Sequence, residues 1–203
     1  MILKNIDYDS STSLFQITID DLIYHLTYEQ IEELNLSEDT ELDDPLVIKI
    51  TSFSDYNLAK SSALKYASRR TMSSYKLMSY LERKGIEKTA VDKIIDEFSK
   101  IGLLDDKAYV KNYIQDKKEY NRMSKKMIKY KLLQEGFDSK QVDEQLHEYT
   151  EEEELSNASY LLESKYKNIE SNDYNAKNKA YQYLYRKGFS NDIINKVILE
   201  AED

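Results

Sequence analysis

The 203-residue chain has no cysteine, no tryptophan, two histidines, one proline and four glycines. Without cysteine it can form no disulfide framework, no thiolate metal site and no thiol nucleophile. His25 and His147 are the only imidazoles, which excludes a multi-histidine metal site and leaves acid–base chemistry through histidine at most two candidates. A Gly-rich phosphate loop, an HExxH pair and a nucleophile elbow are all missing. The chain is therefore expected to be non-catalytic, with no cofactor and no metal. No run of about 18 apolar residues occurs, and the start, MILKNIDYD, carries acids where a signal peptide needs a basic stretch. These absences lead to the expectation of a soluble cytoplasmic protein without membrane contact.

Charge is plentiful and unevenly placed. Residues 1 to 57 hold 2 Lys/Arg against 13 Asp/Glu, residues 60 to 140 hold 20 against 11, and residues 141 to 203 hold 7 against 14. The overall net charge of −9 thus conceals a basic middle between acidic ends. Such a middle can face a phosphate backbone while the ends face something else.

Three of the four glycines, Gly85, Gly136 and Gly188, recur at intervals of 51 and 52 residues. Four residues before each stands Leu81, Leu132 or Leu184, and eight before stands Leu77, Ile128 or Ala180. Each glycine is followed at once by Ile86, Phe137 or Phe189, then at six and ten positions by Val91/Ile95, Val142/Leu146 or Ile194/Ile198. Spacings of four on both sides describe two amphipathic helices, and a lone glycine between them is the left-handed residue that ends the first. A further amphipathic run precedes each hairpin: Leu58 to Arg69, Lys107 to Glu119 and Leu155 to Tyr166. The unit is three helices in about 50 residues, repeated three times, and units of that size stack on their neighbours. The fold class is mainly α, with three tandem three-helix repeats (58–104, 105–150, 151–203) in an elongated arrangement. The acidic run Thr150 to Glu154 (TEEEE) reads as a solvated helix N-terminus whose carboxylates suit the macrodipole.

Residues 1–57 differ in kind and form an acidic extension. Ile2, Ile6 and Tyr8, then Leu14 to Ile19, alternate as in strands, with Asp9 to Ser13 as a β-hairpin loop. Thr27 to Gln30 has capping-box spacing and starts a short helix through Leu34. Leu46 to Ser52 stays open: its β-branched alternation says strand, while Asp44-Pro45 reads as an N-cap followed by a helix-starting proline.

The densest basic feature is Lys117 to Lys131 (KKEYNRMSKKMIKYK), with seven cations, one acid, and Tyr120 and Tyr130 interleaved. It admits two readings: a surface for a polyanion, where cations displace counterions and rings stack on bases, or a solvated helix face with a loop. Lysines outnumber arginines 24 to 5, which suits backbone attraction over base readout. Arg83 and Arg186 precede repeat glycines by two residues, where a cation is favourable at a helix end whatever the function. Arg69, Arg70 and Arg122 fall at interhelical joints and are better binding candidates. Tyr181, Tyr183 and Tyr185 are expected to pack at unit interfaces with their hydroxyls in water.

Ala63-Leu64-Lys65-Tyr66, Ser68-Arg69-Arg70, Leu77-x3-Leu81-x2-Lys84-Gly85 and Gly102-Leu103-Leu104-Asp105-Asp106-Lys107-Ala108-Tyr109 together resemble the RecX family of regulatory proteins, whose members inhibit or modulate the RecA recombinase. The likeness runs from about residue 58 to the end. In it, Asp105 can cap the helix that opens the second unit, and Pro45 to Arg69 can run as one long helix, against the strand reading. The resemblance implies a regulator that binds the RecA filament on single-stranded DNA, as a monomer, in DNA repair and recombination. Its expected contacts are Arg69, Arg70, Lys117, Lys118, Arg122, Lys125, Lys126 and Lys129. A free-standing nucleic-acid binder and a helical scaffold for other proteins are the competing classes.

Overall fold

Alternating apolar residues near the start pair as three antiparallel strands, β1 (Leu3–Asp9), β2 (Leu14–Ile19) and β3 (Leu22–Leu26), in sheet order β1-β2-β3. These belong to a computed structural model that describes residues 1–68, 72–166 and 173–201. The expected hairpin is thus two strands of a three-stranded sheet. Strand β3 lacks clean alternation, and its turn is Asp20-Asp21, with Asp20 at a φ of 52°, in place of the Asn-Gly or Asp-Gly pair that announces a hairpin. Leu3, Ile17, Ile19 and Leu26 are buried on one face of the sheet.

Helix α1 (Tyr28–Glu33) opens with the capping box at Thr27 and Gln30. Helix α2 (Asp44–Ala67) then runs for 24 residues. Asp43 caps it by accepting the Leu46 N–H at 2.9 Å, and Pro45 stands in the first turn, where no amide is needed. Residues 46–52 are therefore helical. Val47 and Ile50 face the sheet at helical spacing while Ile48 is 70% exposed, so the apparent strand alternation was incidental. Two turns on, the buried Ser54 and Asn57 meet the outer edge of β3. The Ser54 hydroxyl accepts the His25 N–H at 2.9 Å, and Asn57 Nδ2 donates to the His25 carbonyl at 2.9 Å and to Gln30 Oε1 at 2.7 Å. Helix α2 passes position 57 without interruption, so the acidic segment and the first three-helix module share one element.

The chain divides into two compact units, Met1–Leu104 and Asp105–Asp203. In the first, α3 (Ser74–Arg83) and α4 (Lys88–Lys100) pack on the second half of α2. Ala59, Ala63 and Ala67 repeat every four residues, and these small side chains let the α3–α4 pair approach; Leu77 and Leu81 fill the contact, each contributing about 1.5–3 kcal/mol by burial. The second unit holds two such modules. One is α5 (Asp106–Glu119), α6 (Lys125–Gln134) and α7 (Ser139–Leu146); the other is α8 (Glu151–Lys165), α9 (Tyr174–Arg186) and α10 (Asn191–Glu200). Among the described residues beyond 57 there is no strand.

Each module turns at its glycine in the same way. The N–H of the residue after the glycine reaches back to the helix it leaves, from Ile86 to Leu81 O (3.2 Å), Phe137 to Leu132 O (3.2 Å) and Phe189 to Leu184 O (3.3 Å). The glycine N–H bonds to Glu82, Leu133 or Tyr185 O at 2.9–3.0 Å, which completes the left-handed helix stop. At Gly188, φ +89°, a Cβ would stand 2.7 Å from Ser124 Oγ and 3.3 Å from Met127 Cβ, whereas at Gly85, φ +76°, it would meet nothing within 4 Å.

This difference makes a prediction. Gly85→Ala should cost about 1–2 kcal/mol from left-handed strain alone. Gly188→Ala should lose at least about 1 kcal/mol more because the cap of α6 must shift. Urea unfolding of the two variants checks it, and equal losses would mean that the Ser124 contact yields freely.

Candidate nucleic-acid interface

The basic segment 117–131 spans the end of α5, a tight turn and most of α6, and its cations divide between two directions. Three face the third module. Lys118 Nζ lies 2.7 Å from Glu153 Oε1, with its side chain only 14% exposed. Arg122 Nη1 donates to Asn157 Oδ1 at 2.9 Å, and its guanidinium stands 4.9 Å from the Tyr160 ring centre. Arg122 has φ 51°, a conformation costly for a residue with a Cβ, so this contact is held against backbone strain of about 1–3 kcal/mol. The backbone N–H of Lys125 donates to Glu154 Oε1 at 2.9 Å, and its ammonium lies 5.6 Å from the Tyr149 ring centre.

The other cations face away from this joint or across their own module. Lys126 is exposed and makes no ion pair among the described residues. Lys129 pairs with Asp143 at 2.6 Å, and Lys117 sits 5.1 Å from the Tyr113 ring centre. One turn on from Lys126 and Lys129, Tyr130 and Leu133 are exposed, so the outward side of α6 carries ammonium groups beside an aromatic face. Arg69 and Arg70 lie outside the described residues.

The acidic run in the first turn of α8 is the counterpart of the inward cations, which corrects its reading as a merely solvated helix start. Thr150 does cap α8, accepting the Glu153 N–H at 3.2 Å while Glu153 Oε2 accepts the Thr150 N–H at 2.9 Å. Glu153 also holds Lys118, Glu154 takes the first amide of α6, and Glu151 pairs with Lys196 at 2.6 Å. The Lys118 ammonium bonded to Glu153 holds that carboxyl below its usual range. Glu154 is pushed up by burial, against the pull of Lys125.

At the centre of the joint are groups that sequence reasoning did not single out. Ser124, fully buried, caps α6 by accepting the Met127 N–H at 3.2 Å and donates its hydroxyl to the Lys187 carbonyl at 3.0 Å, at the end of α9. Tyr149, 1% exposed, donates to the Met123 carbonyl at 3.1 Å and accepts from Asn157 Nδ2 at 2.8 Å. Asn157 Nδ2 also donates to the Lys118 carbonyl at 3.0 Å. Apart from the Met127 amide that Ser124 caps, their partners are 8 to 63 residues away, so no local pattern marks them; the legible signal was Ser124 as an N-cap before an apolar-periodic run. Exposed ion pairs such as Lys196–Glu151 contribute little, because water screens them and holding two long side chains together costs entropy. The buried side chains of Ser124, Tyr149 and Asn157 matter more, because removing any one of them strands the buried groups it bonds at about 1–3 kcal/mol.

Arg83 and Arg186 stand in the last turns of α3 and α9, where the helix dipole favours them. Tyr183 packs partly buried against the core of the third module, and the Tyr181 hydroxyl donates to Asn191 Oδ1 at 2.8 Å, while Tyr185 is mostly exposed. Among the described residues no group of three or more His, Asp or Glu can hold a metal ion, and no helix is long and apolar enough to cross a membrane.

With this arrangement in view, comparison with known proteins is specific. Residues 59–98 match the family model of the first three-helix domain of RecX, and residues 151–198 match that of the third. Regulatory protein RecX of Clostridium botulinum (strain Alaska E43 / Type E3) is 32% identical over 145 residues, which cover 70% of this chain and 68% of the relative. Regulatory protein RecX of Finegoldia magna is 28% identical over 202 residues, 97% of this chain and 98% of the relative. A crystal structure of regulatory protein RecX shares the fold with a TM-score of 0.75 at 21% identity, covering 97% of this chain and 98% of that one. RecX from Lactobacillus salivarius aligns with a TM-score of 0.64 at 26% identity, over 73% of this chain and 97% of that one. The chain belongs to the RecX family of regulatory proteins.

Burial pushes the Tyr149 hydroxyl up to about 12, against about 10 for a tyrosine in an unfolded chain. The native state then holds this proton more tightly than the unfolded state. The stability tied to Tyr149 is fully present below about pH 10 and is lost as pH rises toward 12. Unfolding free energy should fall less steeply between pH 10 and 12 in Tyr149→Phe than in the parent, and at pH 7 the variant should be about 1–2 kcal/mol less stable. Parallel pH profiles for the two proteins would remove Tyr149 from this role.

Proposed function

We propose that the chain is a non-catalytic cytoplasmic regulator that binds, as a monomer, the RecA filament on single-stranded DNA and inhibits strand exchange in recombination and repair. Family membership supports the regulatory role. In this chain the reading is carried by the outward side of α6, where exposed Lys126 and half-buried Lys129 lie beside the exposed ring of Tyr130. Ammonium groups beside an aromatic face suit a phosphate backbone with unstacked bases. Lys117, near the end of α5, is a proposed contact on charge alone, while Lys118, Arg122 and Lys125 act by fixing the joint that presents the α6 face. Arg69 and Arg70, before α3, remain proposed contacts on charge alone. Repeated modules on one chain convert several weak contacts into one of higher apparent affinity. Inhibition requires that they prefer one filament state over another.

The test is a pair of double variants titrated onto RecA-coated single-stranded DNA. Lys126→Glu with Lys129→Glu should weaken binding and make the salt dependence shallower by about one unit for each phosphate no longer neutralised, with melting lowered only slightly by loss of the Lys129–Asp143 pair. Lys118→Glu with Arg122→Glu should instead lower the melting temperature. Unchanged binding and salt slope in the first pair would remove α6 from the interface. No effect of the parent protein on RecA ATPase or strand exchange would remove the function itself. Equal affinity for bare and RecA-coated DNA would favour a free-standing nucleic-acid binder.

A further inference from the structure

The joint between the second and third modules has a counterpart in the first. In the third module the N-terminus of α6 is received by the Lys187 carbonyl, which accepts the Ser124 hydroxyl at 3.0 Å, and by Gly188, whose lack of a Cβ leaves room for that hydroxyl. The Glu154 carboxylate completes the seat by accepting the Lys125 N–H at 2.9 Å.

The repeat carries these features into the first module. The glycine register, 103 residues, places Lys84, Gly85 and Ile86 where Lys187, Gly188 and Phe189 stand. The buried pairs Ala59/Ala63 and Ala158/Leu162, 99 residues apart, place Asp55 where Glu154 stands. Asp55, Lys84, Gly85 and Ile86 line a single open groove of about 1030 Å³ on the first unit, with the exposed side chains of Ile48 and Leu58 also in its wall. Asp55 is exposed, and a Cβ at Gly85 would meet nothing within 4 Å, so the acceptor and the clearance that seat α6 in the third module are both present and open here.

We infer that this groove is a docking site for the N-terminus of a helix of a partner protein, one that opens with a serine or threonine cap. The chemistry sets the choice. The first amides of a helix carry partial positive charge and need acceptors, which the Asp55 carboxylate supplies. The Lys84 carbonyl, in the place of Lys187, takes a hydroxyl donor, which a serine or threonine cap has and an aspartate cap lacks. The end of the third module that matches Ser124 is the start of α9, capped by Asp173. That carboxylate would face Asp55, so a second copy extending the array is the poorer occupant.

The probe is a peptide of residues 121–135, the opening of α6, stapled between positions 126 and 130 so that its short helix is formed before binding. Added to the isotopically labelled full chain, it should shift amides within 48–62 and 84–93; the matching seat in the third module is filled by the tethered α6. Asp55→Arg in the protein, and separately Ser124→Asp in the peptide, should each weaken binding at least fivefold. Leu58→Glu, a second exposed position, should do the same. Absence of binding, shifts elsewhere, or affinity indifferent to Asp55→Arg and Ser124→Asp would overturn the assignment. So would self-association of the parent protein that Asp55→Arg abolishes, because it would put a second copy in the groove.

Discussion

The hydroxyl of Ser124 starts one helix and stops another. It accepts an amide of α6 and donates to the terminal carbonyl of α9, and it has room to do so only because residue 188 is a glycine. Two modules that meet through one shared oxygen have little freedom to slide, since any displacement breaks a cap at each end. The rest of the joint is arranged around this point: Glu154 on the next amide, Tyr149 and Asn157 beneath the turn, and Arg122 held in a left-handed conformation beside them. Polar groups buried together fix geometry more than they add stability, because their hydrogen bonds mostly replace those made to water.

The three-module plan was legible because glycine is scarce here. With only four in 203 residues, each marks a backbone conformation that other residues avoid, and the apolar residues four positions to either side announce the helices that meet there. Capping was legible too at Thr27 and Asp105, where a short polar side chain precedes a helical period, whereas at the start of α2 the sequence pointed to Asp44 and the cap is Asp43, one residue earlier. The third strand was not. Its five residues give little alternation to read, and its turn depends on an aspartate in a left-handed conformation. The ambiguity at 46–52 arose because β-branched residues serve either element, and only packing on the sheet separates Ile50, buried, from Ile48, exposed.

The candidate site was legible as a charge density and not as a geometry. Seven cations within fifteen residues are visible in the sequence, but which of them are committed inside the protein depends on carboxylates about thirty residues later. The acidic run at 151–154 is where that commitment is made, so the basic middle and the acidic end partly neutralise each other across the joint. What stays available for an outside polyanion is the far side of the same helix. One short segment thus carries both the internal contact and the proposed external one.

The two polar side chains that α2 lays along β3 bear on how this protein can recognise others. Ser54 and Asn57 occupy the outward amide and carbonyl of His25, and along the opposite strand Leu3 exchanges hydrogen bonds with Asp39 and Thr40. A peptide seeking to pair with the sheet at His25 or Leu3 would have to displace a helix on one side and a chain segment on the other. Recognition by strand addition, an easy route for a small exposed sheet, is therefore obstructed. The same contacts keep neighbouring copies from pairing edge to edge, which protects a polar, crowded chain from the cross-β association that an unguarded three-stranded sheet invites.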